Sequence, residues 1–207
     1  MIGGNSSAGV LPDDASSERI RAALRRLGEL RQGAMREAAL AYAAAGWPVF
    51  PCNPKQGPGG KRPLVAGADK DAEGKPVPKT GGLWRASTDE KQIRAWWGKY
   101  PNALIGVPTG ARIGLFVVDL DPREGECVDE VRLRLEEAIG PLPETPISIT
   151  QSGGWHIWFR NPESDELPKN SAARIPGVDW RGDGGYVIVP PSVMSDGKAY
   201  SWLVAPQ

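Results

Sequence analysis

The sequence predicts an α+β domain, a mostly antiparallel sheet flanked by helices, and three observations predict it. Segments with apolar residues at helical spacing crowd the front of the chain, among them Met35 to Ala45 and Ser87 to Tyr100. Short runs rich in Val, Ile, Phe and Trp, divided by Gly and Pro, crowd the back. Between them "GLFVVDLDPREG", Gly114 to Gly125, carries an unbroken apolar run into two aspartates. Helices set ahead of hairpins, instead of alternating one for one with strands, are the pattern of helices packed on an antiparallel sheet. With 207 residues the chain is long enough for one domain with a substantial core, and nothing in it demands two.

Residues 1–15 are rich in Gly, Ser and Asp without periodicity and read as a disordered lead-in. Over 16–34 a first helix is expected, capped by Ser16 or Ser17 and carrying Ile20, Leu24 and Leu27 at helical spacing. A second, about Met35 to Ala45, stops at Gly46, and "WPVFP" then reads as a short strand. The stretch from Cys52 to Gly82 is a long Gly/Pro/Lys-rich loop, of a length that in compact domains is functional or disordered more often than structural. Ser87 and Glu90 have the spacing of a capping box, opening a helix whose stripe of Ile93, Trp96 and Trp97 reads as core packing. "NALIGVPTG" is a strand ending in a Pro/Gly turn, and the aspartate strand follows. An amphipathic helix is expected on Val128, Val131, Leu135 and Ile139, with Gly140 past its end. "PISITQSGGWHIWFR" reads as a hairpin turning at Ser152 to Gly154, "GVDWRGDGGYVIVPPS" as a second turning at Gly182 to Gly185, and "AYSWLV" as a last strand.

Charge is balanced, with 25 Lys plus Arg against 25 Asp plus Glu, so no global basic charge announces a nucleic-acid binder. The distribution is uneven. Lys55 to Lys99 holds ten basic and five acidic residues, Asp119 to Glu137 three basic and eight acidic, so the two segments are candidates to face each other across a cleft. Two cysteines without CxxC spacing indicate neither a disulfide framework nor a zinc site, and fit a reducing, cytoplasmic setting. No stretch has the run of roughly 18 apolar residues of a membrane span, and no signal-peptide layout opens the chain.

Three segments carry chemistry. On a strand side chains alternate between faces, so Leu115, Val117, Asp119 and Asp121 share one, with the two carboxylates roughly 6.5 Å apart along it. Like charges at the end of a buried strand repel unless a cation or an array of donors lies between them, and carboxylate oxygens suit Mg²⁺ or Mn²⁺. His156, the only histidine, follows Ser152, Gly153 and Gly154; glycine N–H groups approach an anion closely, and an imidazole donates to a phosphate oxygen. His156 shares a face with Trp158, and Trp155, Ile157 and Phe159 share the other. Asp179 and Arg181 share a face, with Trp180 opposite, and Gly184 and Gly185 follow. Each segment also has a plain structural reading: a DxD as turn chemistry, a lone histidine filling a half-buried hairpin, an Asp/Arg pair as a cross-sheet salt bridge. Combined, three carboxylates, a histidine and an arginine are the parts of two-metal phosphoryl or nucleotidyl transfer, Asp179 as third ligand and Arg181 as phosphate clamp. Gly-x-Ser-x-Gly is absent, and a rolling-circle nickase would need a histidine pair that this chain lacks.

In order and spacing, "VVDLDP", "QSGGWHIWF" and "GVDWRGDGGYVIVPPS" resemble the three motifs of the archaeo-eukaryotic primase superfamily. More narrowly they resemble the bifunctional primase/polymerase domain of plasmid, phage and prophage replication proteins. "GWPVFPCNP", "GKRPL" and "WWGKYPNALIGVPTG" match that family's opening pattern, so the likeness covers about Met35 to Leu203, and 16–207 reads as the catalytic domain. The resemblance implies a core related to the RNA-recognition fold that joins nucleotides on a DNA template with two divalent ions, Mg²⁺ or Mn²⁺. It implies Asp119, Asp121 and Asp179 as metal ligands, and His156, Ser152, Gly153 and Gly154 around the incoming triphosphate with Arg181 assisting. Lys61, in "GKRPL", or Lys79 would reach phosphate or template, and Tyr186 would sense the sugar. The implied partners are a DNA template and primer, an NTP or dNTP, and a replicative helicase domain or subunit. Two departures stand out: no cysteine/histidine set for the zinc-binding insertion of many relatives, and an end at Gln207 that reads as a single-domain enzyme or an excised domain. Rival readings are a DxD glycosyltransferase, a nucleotide- or DNA-binding replication accessory without activity, and a metal-dependent nuclease.

Overall fold

The structure, a computed structural model, describes residues 33–163, 168–172 and 175–206. The lead-in and nearly all of the helix expected over 16–34 lie outside the described residues.

Helix α1 spans 33–44 and buries Met35 and Ala39. It stops where Gly46 takes φ +84°, and the chain turns back through Gly46 N–H to Ala43 O and Trp47 N–H to Tyr42 O. Strand β1, Phe50–Cys52, follows, and then the long loop, which keeps only isolated bridges such as Cys52 to Pro63 before a 3₁₀ turn at Gly82–Arg85. Helix α2, Glu90–Lys99, buries Ile93 and Trp97 as its stripe predicts. Its cap differs from the expected box. Asp89 is the N-cap, accepting from Gln92 N–H at 2.6 Å, while Ser87 Oγ accepts from Asp89 N–H. Ser87 is held extended by a two-way backbone bridge to Val49, so the helix cannot start on it.

Strands β2 (Leu104–Pro108) and β3 (Leu115–Leu120) precede helix α3, Val128–Ile139. Cys127 N–H donates to Glu130 at the start of α3, and Val131 and Leu135 are buried beneath it. Ile139 does not join them and is 54% exposed. Eight residues on from Val131, it has rotated about 80° away from the buried line. The remaining strands are β4 (Ile147–Ile149), β5 (Trp155–Arg160), β6 (Ser171–Ala172), β7 (Val178–Arg181), β8 (Tyr186–Val189) and β9 (Ser201–Val204).

All pairings between these strands are antiparallel, and they form two sheets instead of one, ordered β6-β7-β3-β5-β4-β9 and β1-β2-β8. The β4/β5 hairpin turns at Gln151 to Gly154 as expected. The pair expected on either side of Gly182 to Gly185 is not a hairpin: β7 pairs with β3, β8 pairs with β2, and the turn crosses from sheet to sheet. Thr109, at the end of β2, holds that crossing. Its Oγ1 donates to Gly182 O at 2.7 Å and its N–H to Gly185 O at 2.9 Å. A Cβ on Gly110 would lie 2.4 Å from Asp183 Cα, so two backbones meet where a hairpin would have kept them apart.

Three apolar clusters follow from this layering. Val117 and Trp158 of the large sheet pack with Ile105, Val107, Val187 and Val189 of the small one and with α1 and α2. The opposite face of the large sheet, with Val118, Leu120 and Ile157, is covered by Val131 and Leu135 of α3. Phe50, Leu104 and Ile188 lie on the far face of the small sheet with Met194 and Tyr200. Among the described residues no helix is long and apolar enough to cross a membrane.

Candidate active site

Asp119 is the register partner of His156 on β5 and of Asp179 on β7. Directly opposed residues of antiparallel strands share a face, so the three side chains form one row across the large sheet. The next row below on that face is Trp158, Val117 and Arg181, the first two part of the layer between the sheets. The polar row is the open end of an apolar layer. Arg181 reaches up from the lower row: its Nη2 donates to Asp119 Oδ2 at 2.9 Å and to Asp179 Oδ2 at 3.0 Å, and its Nε to Asp119 Oδ2 at 3.2 Å. Asp121 lies just past β3, its N–H donating to Gly177 O at 2.8 Å, which carries the strand's course one residue further.

In front of this row is a cavity of about 280 Å³ whose lining includes Lys61, Asp119, His156, Arg181, Tyr186 and Tyr200. Only 7% of the His156 side chain is exposed; its Nε2 lies 3.6 Å from Asp119 Oδ1, and its buried Nδ1 has no partner among the described residues. Burial pushes its pKa down to about 4, Asp119 opposing and Lys61 and Arg181 adding to the fall, so the imidazole is neutral near pH 7. Burial and then the Asp119 charge hold the Asp121 carboxyl above its ordinary range, with Lys61 opposing. Burial likewise lowers Lys61, against the pull of Asp119 and Asp121.

Lys61 arrives on the long loop. It takes φ +60°, donates its N–H to Asn53 O at 2.8 Å, accepts from Tyr186 OH at 3.1 Å, and holds its Nζ 5.8 Å from the Tyr200 ring centroid. The structure does not bring Lys79 there; it also takes a positive φ, but its Nζ lies over the Trp84 ring at 5.2 Å, away from the cavity. Ser152, Gly153 and Gly154 form the β4/β5 turn outside the cavity lining, with Ser152 Oγ 3.1 Å from Thr150 Oγ1. Gly154 has a local duty, since a Cβ there would meet Leu120 O at 2.2 Å. The expected meeting of basic and acidic segments reduces to Lys61, because acids of α3 and its approach pair with their own arginines, Asp129 and Glu136 with Arg132 and Glu126 with Arg134. Sequence reasoning missed Tyr200, which is 3% exposed with its ring centroid 6.2 Å from that of His156. In the sequence it looks like one more strand aromatic.

Among the described residues no group of three or more His, Cys, Asp or Glu side chains is arranged as it stands to hold a metal ion. The donor chemistry nonetheless fits a hard divalent cation. Asp119 and Asp179 direct one oxygen each at a single positively charged nitrogen, so a cationic group already stands between them, and Asp121 is close enough for its charge to be felt.

Two antiparallel sheets, with α1 and α2 packed into the layer between them and α3 on the outer face of the large one, and an acidic row at the mouth of that layer, define a primase-like α+β domain. The family model described as bifunctional DNA primase/polymerase, N-terminal, matches residues 39–207, and the chain belongs to that family. The family implies DNA primase/polymerase activity, a nucleotidyl transfer. No curated protein matches the chain.

Proposed function

We propose that the chain extends nucleic-acid strands on a DNA template by a two-metal mechanism, with Asp119, Asp121 and Asp179 holding two divalent cations, Mg²⁺ or Mn²⁺. The observation that carries the reading is the single row of His156, Asp119 and Asp179 across three strands, beside a cavity rimmed by Lys61 and Arg181. Bound there, the cations would make the primer 3′ hydroxyl more acidic and offset charge on the reacting and leaving phosphates. The chain's own residues do the rest. Neutral His156 donates one ring N–H to a triphosphate oxygen and, being neutral, adds no charge that would repel the cations. Lys61 and Arg181 neutralise the triphosphate, Arg181 with a planar fork that matches two phosphate oxygens. From outside the cavity lining the turn of Ser152, Gly153 and Gly154 flanks the triphosphate with its Ser152 and Gly154 N–H groups, the Gly153 N–H being held by Thr150 O; Tyr186 borders the sugar, and Lys79 contacts template beyond the cavity. Replication of plasmid, phage or prophage type, with a helicase partner, is the setting this activity suits.

Primer extension tests the reading: a labelled primer on a DNA template, with NTPs or dNTPs and Mg²⁺ or Mn²⁺. Metal-dependent extension by the wild type, lost in Asp119→Ala/Asp121→Ala, is expected. A chain that binds nucleotide or DNA but never extends a primer would be an accessory, and shortening of the labelled strand would make it a nuclease.

A further inference from the structure

Two strands, β3 and β7, bring a guanidinium to the point where the acidic row converges. Arg181 donates twice to Asp119 Oδ2 and once to Asp179 Oδ2, at 2.9 to 3.2 Å. The contact is built into the register: Arg181 lies opposite Val117, one row below the carboxylates, and its side chain covers that step to meet them from beneath. Both partners are partly shielded, with 14% of the Asp119 and 32% of the Arg181 side chain exposed. The oxygens that Arg181 engages are those a divalent ion would need. A guanidinium within hydrogen-bond distance of both occupies the volume and the field such an ion would take. Among the described residues no other lysine or arginine pairs with Asp119 or Asp179: the Lys61 ammonium, over the Tyr200 ring, feels the charges of Asp119 and Asp121 but forms no ion pair with Asp119 or Asp179.

We propose that Arg181 and a divalent cation are alternative occupants of the Asp119–Asp179 pair. Cation binding releases the guanidinium from both carboxylates and frees it for the phosphates of the incoming nucleotide. The inference rests on the reading of those carboxylates as cation ligands. It makes Arg181 the link between the two ligands: it weakens cation binding while the nucleotide is absent and strengthens nucleotide binding once the cation is present.

The test is Mn²⁺ binding to the full chain without nucleotide, followed by electron paramagnetic resonance, for wild type, Arg181→Gln and Lys61→Gln. Release of charge-assisted hydrogen bonds predicts Mn²⁺ binding about tenfold tighter in Arg181→Gln. Lys61→Gln, which removes a nearby charge but no occupant, should gain clearly less. Equal gains in the two variants, or none in Arg181→Gln, would overturn the inference while leaving the carboxylates as ligands. No Mn²⁺ binding by any of the three chains would overturn both readings. A second measurement needs no variant fold: in ¹⁵N-labelled wild type the Arg181 Nε–H should exchange slowly in EDTA and quickly at saturating Mg²⁺. An Nε–H that stays protected when Mg²⁺ is bound would refute the exchange of occupants.

Discussion

His156 is a small group in an extreme place, a neutral imidazole buried beside a carboxylate with one ring nitrogen unpartnered among the described residues. Its folded pKa, about 4, lies below the value near 6.5 expected when unfolded. Above pH 6.5 neither state binds the proton, so the full stability is present; between 6.5 and 4 only the unfolded chain binds it, and stability falls. The loss by pH 4 is on the order of 3 kcal/mol. In EDTA the urea midpoint should therefore drop between pH 7.5 and 5.5, and the drop should shrink in His156→Gln; an identical pH dependence in the variant would contradict this account. Asp119 belongs to the same scale. Its replacement by Ala leaves Arg181 paired with Asp179 and removes no core volume, so extension should fall about a thousandfold or more while thermal unfolding stays cooperative. Loss of both together would mean that Asp119 holds the fold instead of the reaction. These residues were legible because alternation alone assigns each to a face of its strand. Tyr200 was not, because its partners His156 and Lys61 arrive from distant segments.

Elements follow local chemistry until a neighbour outbids it. Ser87 has the residue type and spacing of a cap, but its backbone is claimed by Val49, and Asp89 caps α2 in its place. The segment from Val178 to Val189 has two strand-like runs and glycines between, the pattern of a hairpin; which strands they join depends on β3 and β2, far upstream, and that competition cannot be read from the segment itself. Strand neighbours were illegible for the same reason, since β3 lies between β5 and β7, neither adjacent to it in sequence. The β4/β5 hairpin was legible because its turn chemistry is local. A Cβ at Gly154 would press on Leu120 O, a backbone atom of β3 that can yield only by moving the strand. Gly154→Ala should cost about 1–3 kcal/mol in urea unfolding and lower activity by shifting β5 against β3. Wild-type stability in that variant would show that the turn has slack.

At the scale of the molecule, the match over 39–207 covers nearly all of the stretch, about 35–203, in which the motifs carry the resemblance. The α+β class was legible from the separation of helical and strand periodicities; the division into two sheets was not, because alternation says which face a residue occupies but not what lies across from it. Formal neutrality has a consequence for DNA. With acidic residues as numerous as basic ones, the chain should contact few phosphates, and the slope of log affinity against log salt should be about −3 or shallower. A markedly steeper slope, measured by fluorescence anisotropy with labelled template, would reveal a basic surface that the balance of charges conceals.

The crossing at Gly182 to Gly185 divides the cavity between two bodies. Asp119, His156 and Arg181 ride on the large sheet, whereas Tyr186 is on the small one, Tyr200 packs on that sheet's far face, and Lys61 is tied to it through Tyr186. A molecule filling the cavity is therefore gripped from both sides at the joint, like a rivet through two plates, and whatever prises the plates apart loosens every grip at once.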